Sequence, residues 1–328
     1  MWIGILNTSV TVPSLPGQGN PGPPQPFEST EKFLFDGNNG FLRSVTQTNY
    51  RFTDEVTLSC WVTFGSLLFG PGFKNHMIID QAKTNNTTGY SLYVTRGVNA
   101  GESFLRFQVG KNQATPFPAA DYRAQIRIDN ITDVQSKKFY IMAAVKDDTI
   151  RLNLKSDGVN LTNTKALSNT DPIFYNVATN AFCIGNTSPN NTNEFDGNID
   201  EVGVFNEYLN NANANDIFNW NQNGNLETYS IEKGGLNLEA WYRMGENATY
   251  TPNTETYNVL TQDDDNIITE GGINVVTEAF TENLGVWRLK NAVALNDNTK
   301  DLVSSKVGDD LVGFLPENAE TQPGIPPI

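Results

Sequence analysis

Short stretches in which apolar and polar residues alternate run through the middle of the chain. In the clearest one, FTDEVTLSCWVTF, the apolar positions Val56, Leu58, Cys60 and Val62 recur at every second residue. A period of two predicts a β-strand with one face toward a core. Similar stretches bounded by Gly, Asn or Thr predict about ten to twelve short strands. They fall at residues 32–35, 41–43, 52–64, 77–80, 90–95, 104–109, 126–128, 138–146, 149–154, 182–185, 199–205 and 236–244.

The pattern changes within one stretch, EFDGNIDEVGVFNEYL at residues 194–209. It opens with a polar turn around Gly197 and then alternates from Ile199 to Phe205, which predicts a turn followed by a half-buried strand. A short helix is predicted directly afterwards, near residues 211–220. Its apolar positions are Leu209, Ala212, Ile217 and Phe218. A strand that continues into a helix is unusual in a chain whose other elements are all strands, so this stretch is the most specific in the sequence.

Proline is concentrated at the two ends of the chain. Of the sixteen prolines, six lie in residues 13–26 and four in residues 316–328. Their fixed φ and missing N–H disfavour both helix and sheet, so these flanks are predicted to be extended arms. We expect an N-terminal arm at 1–30, a sandwich domain at 31–247, and a C-terminal extension with a Pro-rich tail at 248–328. A strand is also indicated at 1–6, and weaker ones at 273–276 and 286–289.

Charge and composition limit the classes of partner. The formal net charge is −15 at pH 7. It argues against nucleic acid and against anionic membrane surfaces, because both attract basic proteins. No stretch approaches the roughly 18 consecutive apolar residues of a membrane-spanning helix. The first ten residues lack the basic and apolar regions of a secretory signal, so neither an export signal nor an anchor is expected.

The cysteines and the histidine offer little catalytic chemistry. Cys60 and Cys183 both lie in apolar runs typical of strands. Two buried free thiols are the simpler interpretation, and a disulfide between the sheets is the alternative that the sequence leaves open. The only histidine, His76, precedes the apolar run MIID. With one histidine and no Cys pair, zinc sites and Ser-His-Asp catalysis have very little support.

Four stretches follow one another in the order of a known family. They are LFDGNNGFL, FTDEVTLSCWV, KKFYIMAAVKDDTIRLNLKSDG, and FCIGN followed by FDGNIDEVGVFNEYLN. Together they resemble the laminin G-like, concanavalin A-like jelly-roll family over residues 31–222. The last stretch is the most specific, because strand, acidic pair and helix recur in one order. With the flanks included, the predicted fold is an all-β, concanavalin A-like (laminin G-like) jelly-roll sandwich with one short helix and extended terminal arms.

Two features depart from the family pattern. Lys138, Phe139 and Tyr140 stand where members usually carry a His or Trp pair. The segment EAWYRMGE at 239–246 resembles one that often precedes such a domain, whereas here it follows. A sandwich with this trailing segment resembles structural proteins of tailed bacteriophages, especially marine ones. This second resemblance implies a location in the virion.

Sugar-cleaving enzymes share this fold, and retaining ones use two carboxyl groups about 5 to 5.5 Å apart. Their motif reads Glu-x-Asp-x-Glu, or has one more residue before the last Glu. Glu194 and Asp196 begin such a motif, but Asn198 and Ile199 stand where the last Glu belongs. The following pair, Asp200–Glu201, is expected on opposite faces of the strand, capping the turn or the next helix. No catalytic or cofactor-binding residue is therefore assigned, and the protein is predicted not to be an enzyme.

Calcium and sugar are the two ligands that the resemblance suggests. Laminin G-like domains often bind calcium through Asp, Asn and carbonyl oxygens. The oxygen-rich candidates are Asp36, Asn38, Asp196 and Asn198, which suit Asx turns equally well, and no ligand set is assigned. Sugar binding needs aromatic platforms, for which the candidates are Trp61, Trp220, Trp241 and Trp287. Trp61 and Trp241 lie in predicted strands and are expected in the core or on a sheet face. The run 263–265 of three Asp residues is interpreted as a solvated loop.

Two functions are compatible with these features. The first is a non-enzymatic virion structural protein of a tailed phage, either a head decoration or fibre or a tail component. Its arms would contact other virion proteins or copies of itself. The alternative is a carbohydrate-binding adhesin or receptor-binding module that recognises host-surface glycans, located extracellularly or at the cell surface. A glycoside hydrolase, the third class, is disfavoured by the missing Glu.

Overall fold

The structure, a computed structural model, describes residues 32–244 apart from short gaps, the longest at 112–121, and the backbone of three further strands up to residue 316. The strand prediction at 1–6 and the arm at 1–30 lie outside the described residues, as do 263–265 and 273–276. The first eight strands are β1 (Phe33–Asp36), β2 (Phe41–Ser44), β3 (Val56–Phe64), β4 (Asn75–Ala82), β5 (Gly89–Arg96), β6 (Ser103–Gly110), β7 (Arg123–Arg127) and β8 (Phe139–Lys146).

The second half of the chain supplies eight more strands and a helix. The strands are β9 (Thr149–Ser156), β10 (Val159–Ala166), β11 (Cys183–Ile184), β12 (Asp196–Phe205), β13 (Leu238–Tyr242), β14 (Ala248–Thr251), β15 (Leu284–Leu289) and β16 (Leu311–Pro316). The helix is α1 (Asn211–Asn219). Short 3-10 turns lie at Ser66–Phe69 and Val134–Ser136.

The strands form two antiparallel sheets packed as a sandwich. The seven-stranded sheet has the order β1-β12-β3-β8-β9-β10, with β13 also paired to β12. The nine-stranded sheet has the order β14-β15-β16-β2-β11-β4-β5-β6-β7. Strands far apart in the chain are neighbours in both sheets. The predicted all-β, concanavalin A-like jelly-roll with a short helix is confirmed.

The core lies between the two sheets and follows directly from the alternation. On β3 the apolar positions Leu58, Cys60 and Val62 are fully buried in the main cluster, and on β5 Leu92 and Val94 meet them from the other sheet. The residues between them must point outward, because successive side chains on a strand alternate faces. Each sheet therefore has an outer face whose character the sequence sets independently of the core.

The turn before β12 requires glycine at one position. Gly197 has φ +136°, and a Cβ built there would lie 2.0 Å from the carbonyl oxygen of Thr63 on the neighbouring strand. No side chain fits this close approach of two backbones. The glycine of the FDG motif is therefore required where β12 begins beside β3.

Helix α1 covers the outer face of the seven-stranded sheet. Asn210 begins the helix: its Oδ1 accepts from the N–H groups of Ala212 and Asn213, at 2.7 and 3.3 Å, as N-cap residues do. A second apolar cluster is buried beneath the helix. It comprises Trp61, Tyr140, Met142, Phe205, Leu209, Ala214, Ile217, Leu226, Tyr229 and Trp241. We call this surface the helix face.

Three details differ from the sequence prediction. Strand β10 was not predicted, because its sequence VNLTNTKA is mostly polar and the strand lies exposed at the edge of its sheet. In α1 the buried alanine is Ala214, whereas the predicted Ala212 is exposed, although the helix lies where it was predicted. Strands β14 and β16 were also not predicted, and both belong to the nine-stranded sheet.

Candidate functional site

The outer face of the nine-stranded sheet is polar, in contrast to the helix face. Its residues lie between the core positions of each strand, and cross-strand register arranges them in rows. The first row is Arg43, Cys183, Asp80, Ser91, Gln108 and Arg123. The second row is Tyr93, Arg106 and Gln125, and the third is Thr95, Phe104 and Arg127. We call this surface the polar face.

Hydrogen bonds between neighbouring strands fix the side chains of the polar face. The hydroxyl of Ser91 donates to Asp80 Oδ1 at 2.5 Å, and that of Tyr93 donates to Gln108 Oε1 at 2.9 Å. Arg106 Nε donates to Gln125 Oε1 at 3.2 Å. Because each bond joins two strands, these side chains are held in one orientation before any ligand arrives.

Burial decreases across the polar face toward the edge strand β7. Ser91, Tyr93 and Gln108 are 0%, 3% and 5% exposed, so the middle of the sheet is closed to solvent. Toward β7 the side chains become half-buried, as at Arg106 and Gln125. The polar face is accessible at Arg43 on β2 and along β6 and β7, and we call the β6–β7 region its accessible part.

An aromatic ring sits within this accessible part. The guanidinium carbons of Arg106 and Arg127 lie 5.5 and 5.9 Å from the centroid of the Phe104 ring. Arg127 is also paired with Asp129 at 2.8 Å. Guanidinium, amide and ring thus occur together on two adjacent strands, and their hydrogen-bonding directions and flat surface suit a small polar ligand.

The calcium candidates are only partly brought together. Asp36 and Asp196 are opposite each other in the pairing of β1 with β12, whereas Asn38 lies outside the described residues. Asn198 uses its amide to donate to Thr63 Oγ1 at 2.8 Å. Asp196 Oδ2 already accepts the N–H of Leu67 at 2.6 Å. Burial, with a contribution from Asp36, raises the pKa of Asp196 above its ordinary value.

This arrangement does not by itself fit a calcium ion. Calcium takes about six to eight oxygen ligands, and here two opposed carboxylates are present, one of them capping the 3-10 turn. In the described part of the chain no group of three or more His, Cys, Asp or Glu residues is placed to hold a metal. Asp196 can approach the 3-10 turn this closely because residue 65 is glycine: a Cβ there would lie 2.2 Å from Asp196 Oδ2. Calcium binding stays a prediction.

The acidic pair of β12 lies differently from the prediction. The pairing of β12 with β3 shifts register between Asp200 and Gly203, which is a β-bulge, and Glu201 has φ 47°. The bulge suspends the alternation. Asp200 is opposite Trp61 and Glu201 Oε2 accepts the indole N–H of Trp241 at 2.5 Å, so both acids lie on the helix face. The expectation of opposite faces was wrong.

These acids also have other partners than predicted. Glu201 Oε1 lies 3.5 Å from Arg243 Nε, and Asp200 Oδ1 accepts the N–H of Glu201 at 2.8 Å. The helix cap is Asn210 instead. Asp200 and Glu201 are 0% and 4% exposed, so a substrate has no access to them. Glu194, the other acid of the incomplete catalytic motif, is fully buried as well.

The two described tryptophans belong to the helix face. Trp61 stacks on Phe218 of α1 with ring centroids 5.8 Å apart, and Trp241 is bound by Glu201. Both are buried, as their positions in strands predicted, and neither forms an exposed sugar platform. Trp220 and the side chain of Trp287 lie outside the described residues.

The helix is also held by a lysine: Lys155 Nζ donates to Asn160 and Asn215, each at 2.6 Å, and so connects α1 to the β9–β10 hairpin.

The two cysteines are free thiols whose side chains point in different directions. Cys60 points into the core from β3, whereas Cys183 lies on the polar face of the other sheet. Both thiols are unpaired with each other and buried, and burial raises the pKa of each above its ordinary value. The free-thiol interpretation is confirmed, and the disulfide alternative is wrong because the two side chains leave their sheets in directions that do not meet.

Sequence reasoning missed the polar face, although a signal was present. In SFLRFQV at 103–109 and RAQIR at 123–127 the alternation places arginine and glutamine at every second residue. The strand predicted at 104–109 is confirmed as β6, whereas the one predicted at 126–128 lies earlier in the chain, at Arg123–Arg127. The pattern could not show that the two polar sets lie side by side, since register between strands is not visible in either stretch alone.

The two packed antiparallel sheets define a lectin-like β-sandwich. The family profile described as the concanavalin A-like lectin/glucanases superfamily matches residues 36–215, more than half of the chain. The chain belongs to this superfamily. A search of curated proteins finds no match to the sequence. Among the described residues no helix is long and apolar enough to cross a membrane.

Several solved structures are similar at low identity. A heptameric pentraxin from Limulus polyphemus has 13% identity and a TM-score of 0.41, over 58% of this chain and 82% of that one. The CBM40 of a Ruminococcus gnavus sialidase, solved with α2,3-sialyllactose, has 9% identity and a TM-score of 0.37, over 57% and 97%. Tailspike protein 2 of bacteriophage CBA120 has 11% identity and a TM-score of 0.38, over 55% of this chain and 26% of the tailspike chain. At these values the likeness says nothing about ligands.

Proposed function

We propose that the protein is a non-enzymatic, saccharide-recognising member of the superfamily and that the accessible part of the polar face is its binding surface. One observation carries the proposal: Arg106 and Gln125 present guanidinium and amide groups side by side next to the ring of Phe104. Sugar hydroxyls need such paired donors and acceptors, and the C–H faces of a sugar ring pack on an aromatic ring.

The burial and hydrogen bonding of the acids in the catalytic-like stretch support a binding role over hydrolysis. Hydrolysis of a glycosidic bond needs two carboxyl groups that reach the same bond. The carboxylates of the catalytic-like stretch are buried or engaged: Glu194 and Glu201 are closed to solvent, and Asp196 caps a turn. On the polar face Asp80 is buried and hydrogen-bonded to Ser91.

A glycan array tests this proposal directly. The full chain should bind a subset of glycans, and Phe104→Ala or Gln125→Ala should weaken binding about fivefold to tenfold, because each removes a contact worth about 1 kcal/mol. Leu161→Ala is the matched control, since Leu161 is exposed on β10 of the other sheet. Incubation with β-glucans and sulphated galactans should release no reducing ends. A flat array, or variants that bind like the unchanged chain, would contradict the proposal.

A second, compatible function is a structural role in the virion of a tailed phage. The observation that favours it is in the sequence: ten of sixteen prolines lie in the flanks 13–26 and 316–328. Extended proline-rich segments lose little conformational entropy when they lie along a neighbour. In this proposal residues 1–30 and 316–328 contact other virion proteins or copies of the chain, while the sandwich between them recognises glycans on the host surface.

A further inference from the structure

Two arginines lie next to each other on the accessible part of the polar face. In the pairing of β6 with β7, Arg106 is opposite Gln125 and Gln108 is opposite Arg123. Arg106 and Arg123 are therefore diagonal neighbours on one face, at a spacing of about 7 to 8 Å between backbones, within reach of long side chains. Both side chains are half-buried. Two positive charges thus share one small, partly desolvated surface.

Within the described part of the chain, no carboxylate balances this arrangement. Neither Arg106 nor Arg123 forms an ion pair with any acid of the described residues. The chain nevertheless contains 37 acidic residues against 22 Lys and Arg. Arg127, one position further on the same face, is paired with both Asp129 and Glu102, at 2.8 and 3.9 Å. Asp129 and Glu102 therefore neutralise Arg127, and the charges of Arg106 and Arg123 stay unbalanced next to each other.

Placing the two charged guanidinium groups together on this partly buried surface is electrostatically unfavourable. Burial, and next the charge of Arg123, lower the pKa of Arg106 from its ordinary value. Placing like charges together without a partner destabilises a sheet by a measurable amount. Such a cost is typical of residues arranged for a ligand that supplies the missing charge.

The neighbouring groups would hold such a ligand in one orientation. Arg106 is aligned by Gln125 and hydrogen-bonds Tyr93, which is itself held by Gln108. A guanidinium presents a planar set of N–H donors that matches the oxygens of a carboxylate or sulfate. The Phe104 ring lies beside Arg106 and offers a flat surface for the rest of the ligand.

We propose that Arg106 and Arg123 form the anion-recognition element of the polar face and select saccharides that carry a carboxylate or sulfate group. This inference rests on the proposed glycan-binding function and names its ligand class. A single anionic group lies between the two guanidiniums, while the attached sugar packs toward Phe104 and hydrogen-bonds Gln125. The strongly acidic remainder of the chain repels polyanions that lack a fit to this site, and so favours short anionic units over nucleic acid.

Matched polysaccharide pairs test the proposal. Isothermal titration of the full chain should show binding to oligosaccharides of κ-carrageenan or of polygalacturonate. Binding should weaken at least tenfold when the same backbone is desulphated or fully methyl-esterified, because charge-assisted hydrogen bonds are lost. The sulphated and carboxylated arms distinguish which anionic group is preferred. Raising the salt concentration should weaken binding to the anionic partner more than to the neutral one.

Variants separate recognition from general charge. Arg106→Gln and Arg123→Gln should each weaken binding to the anionic glycan about tenfold or more, because each removes charge-assisted bonds. Arg151→Gln, on β9 of the other sheet, makes the same change in net charge and should leave affinity within about twofold. Arg123→Lys keeps the positive charge, which also protects the edge strand β7 from pairing with other chains. It loses the planar set of N–H donors of the guanidinium, so it should bind the anionic glycan more weakly than the unchanged chain. Arg123→Gln should be at least as stable as the unchanged chain without ligand, because like-charge repulsion is relieved, whereas Arg106→Gln also loses its bond to Gln125.

Each other outcome has a definite meaning. Equal affinity for charged and neutral partners, unaffected by Arg106→Gln and Arg123→Gln, overturns this inference and leaves glycan binding intact. Failure to bind any glycan overturns both. Binding of polyglutamate that depends on the two arginines, with no binding of the anionic saccharides, assigns the element to an acidic protein partner and overturns the saccharide proposal. If Arg151→Gln loses as much affinity as Arg106→Gln and Arg123→Gln, the effect is one of net charge alone and the inference is overturned.

Discussion

A single buried histidine shows how the fold determines the chemistry of one residue. His76 is fully buried on β4, and its Nδ1 lies 2.7 Å from the carbonyl oxygen of Glu194. A carbonyl can only accept, so Nδ1 carries the proton of the neutral ring. Burial lowers the pKa of His76 to about 4, a larger effect than the opposing hydrogen bond to Glu194, and the charges of Lys74 and Arg96 add to the lowering.

The protein should lose stability in acid because of this histidine. The folded-state pKa is about 4, and the unfolded value is about 6.5. Protons therefore bind the unfolded chain more readily, and the contribution to stability is complete above pH 6.5 and is lost as the pH falls toward 4. Between pH 7 and pH 5 the free energy of unfolding should fall by about 2 kcal/mol on this account.

Two measurements check this expectation. Because the chain has one histidine, its ring proton resonances in an NMR titration report this site alone and should not move above pH 5. Urea denaturation of His76→Gln, whose side chain does not titrate, should lack this part of the pH dependence. A titration midpoint near 6.5 in the folded protein would show that the ring is solvated and that the assignment is wrong.

Strand β12 shows how one irregularity organises several neighbouring elements. The bulge at Asp200–Gly203 turns Glu201 toward the helix face, where it receives the indole N–H of Trp241 from β13 and lies beside Arg243. Since β12 also pairs with β1 and β3, the bulge fixes the position of β13 against the rest of the sheet. The conformation of Glu201, with positive φ, is one that non-glycine residues rarely adopt.

Removing the Glu201 carboxylate should destabilise the sandwich. Glu201→Ala should lower the free energy of unfolding by about 3 kcal/mol, because a buried charge-assisted network loses its acceptor. Glu201→Gln keeps an acceptor for the indole and should cost about half as much. Urea denaturation measures both, with the exposed Asp54→Asn as a control for loss of one negative charge. A loss below about 0.5 kcal/mol in Glu201→Ala would mean that the bulge is held by its backbone alone.

At the scale of the whole molecule, the two outer faces of the sandwich differ in polarity and in what covers them. The helix face is mostly apolar apart from the buried Asp200 and Glu201, holds both described tryptophans and is closed by α1. The polar face keeps its accessible edge on β6 and β7, with guanidinium and amide groups around an aromatic ring. The helix therefore covers one face, and the binding surface that we propose lies on the other.

The proposed virion role is tested on whole particles. If the chain is a structural protein of a tailed phage, purified particles should contain it in a fixed copy number by quantitative mass spectrometry. Limited proteolysis should cut residues 1–30 and 316–328 in the isolated chain and spare them in the particle, because neighbours cover them. Particles without the chain, or arms cut equally fast in both states, would contradict this role and would leave the glycan proposal standing.

Much of the fold was predictable because a strand's inner and outer sets repeat with a local period of two. The alternation of Val56 to Val62 gave the core side of β3, and the stretch from Gly197 to Phe205 gave the turn and β12. The missing third acid made a hydrolase a disfavoured prediction from the sequence alone. Exposed β10 escaped prediction because an edge strand buries little apolar surface and so carries no strong pattern.

The candidate site was decided only by tertiary structure. Arg106 and Arg123 are 17 residues apart in the sequence, and they become neighbours because β6 pairs with β7 in one particular register. The bulge at Glu201 and the capping by Asp196 depend likewise on partners more than 35 residues away. The sequence by itself determined which residues of a regular strand face outward, and the bulge in β12 is the exception. Cross-strand register, set by packing of the whole core, decided which of those outward residues meet.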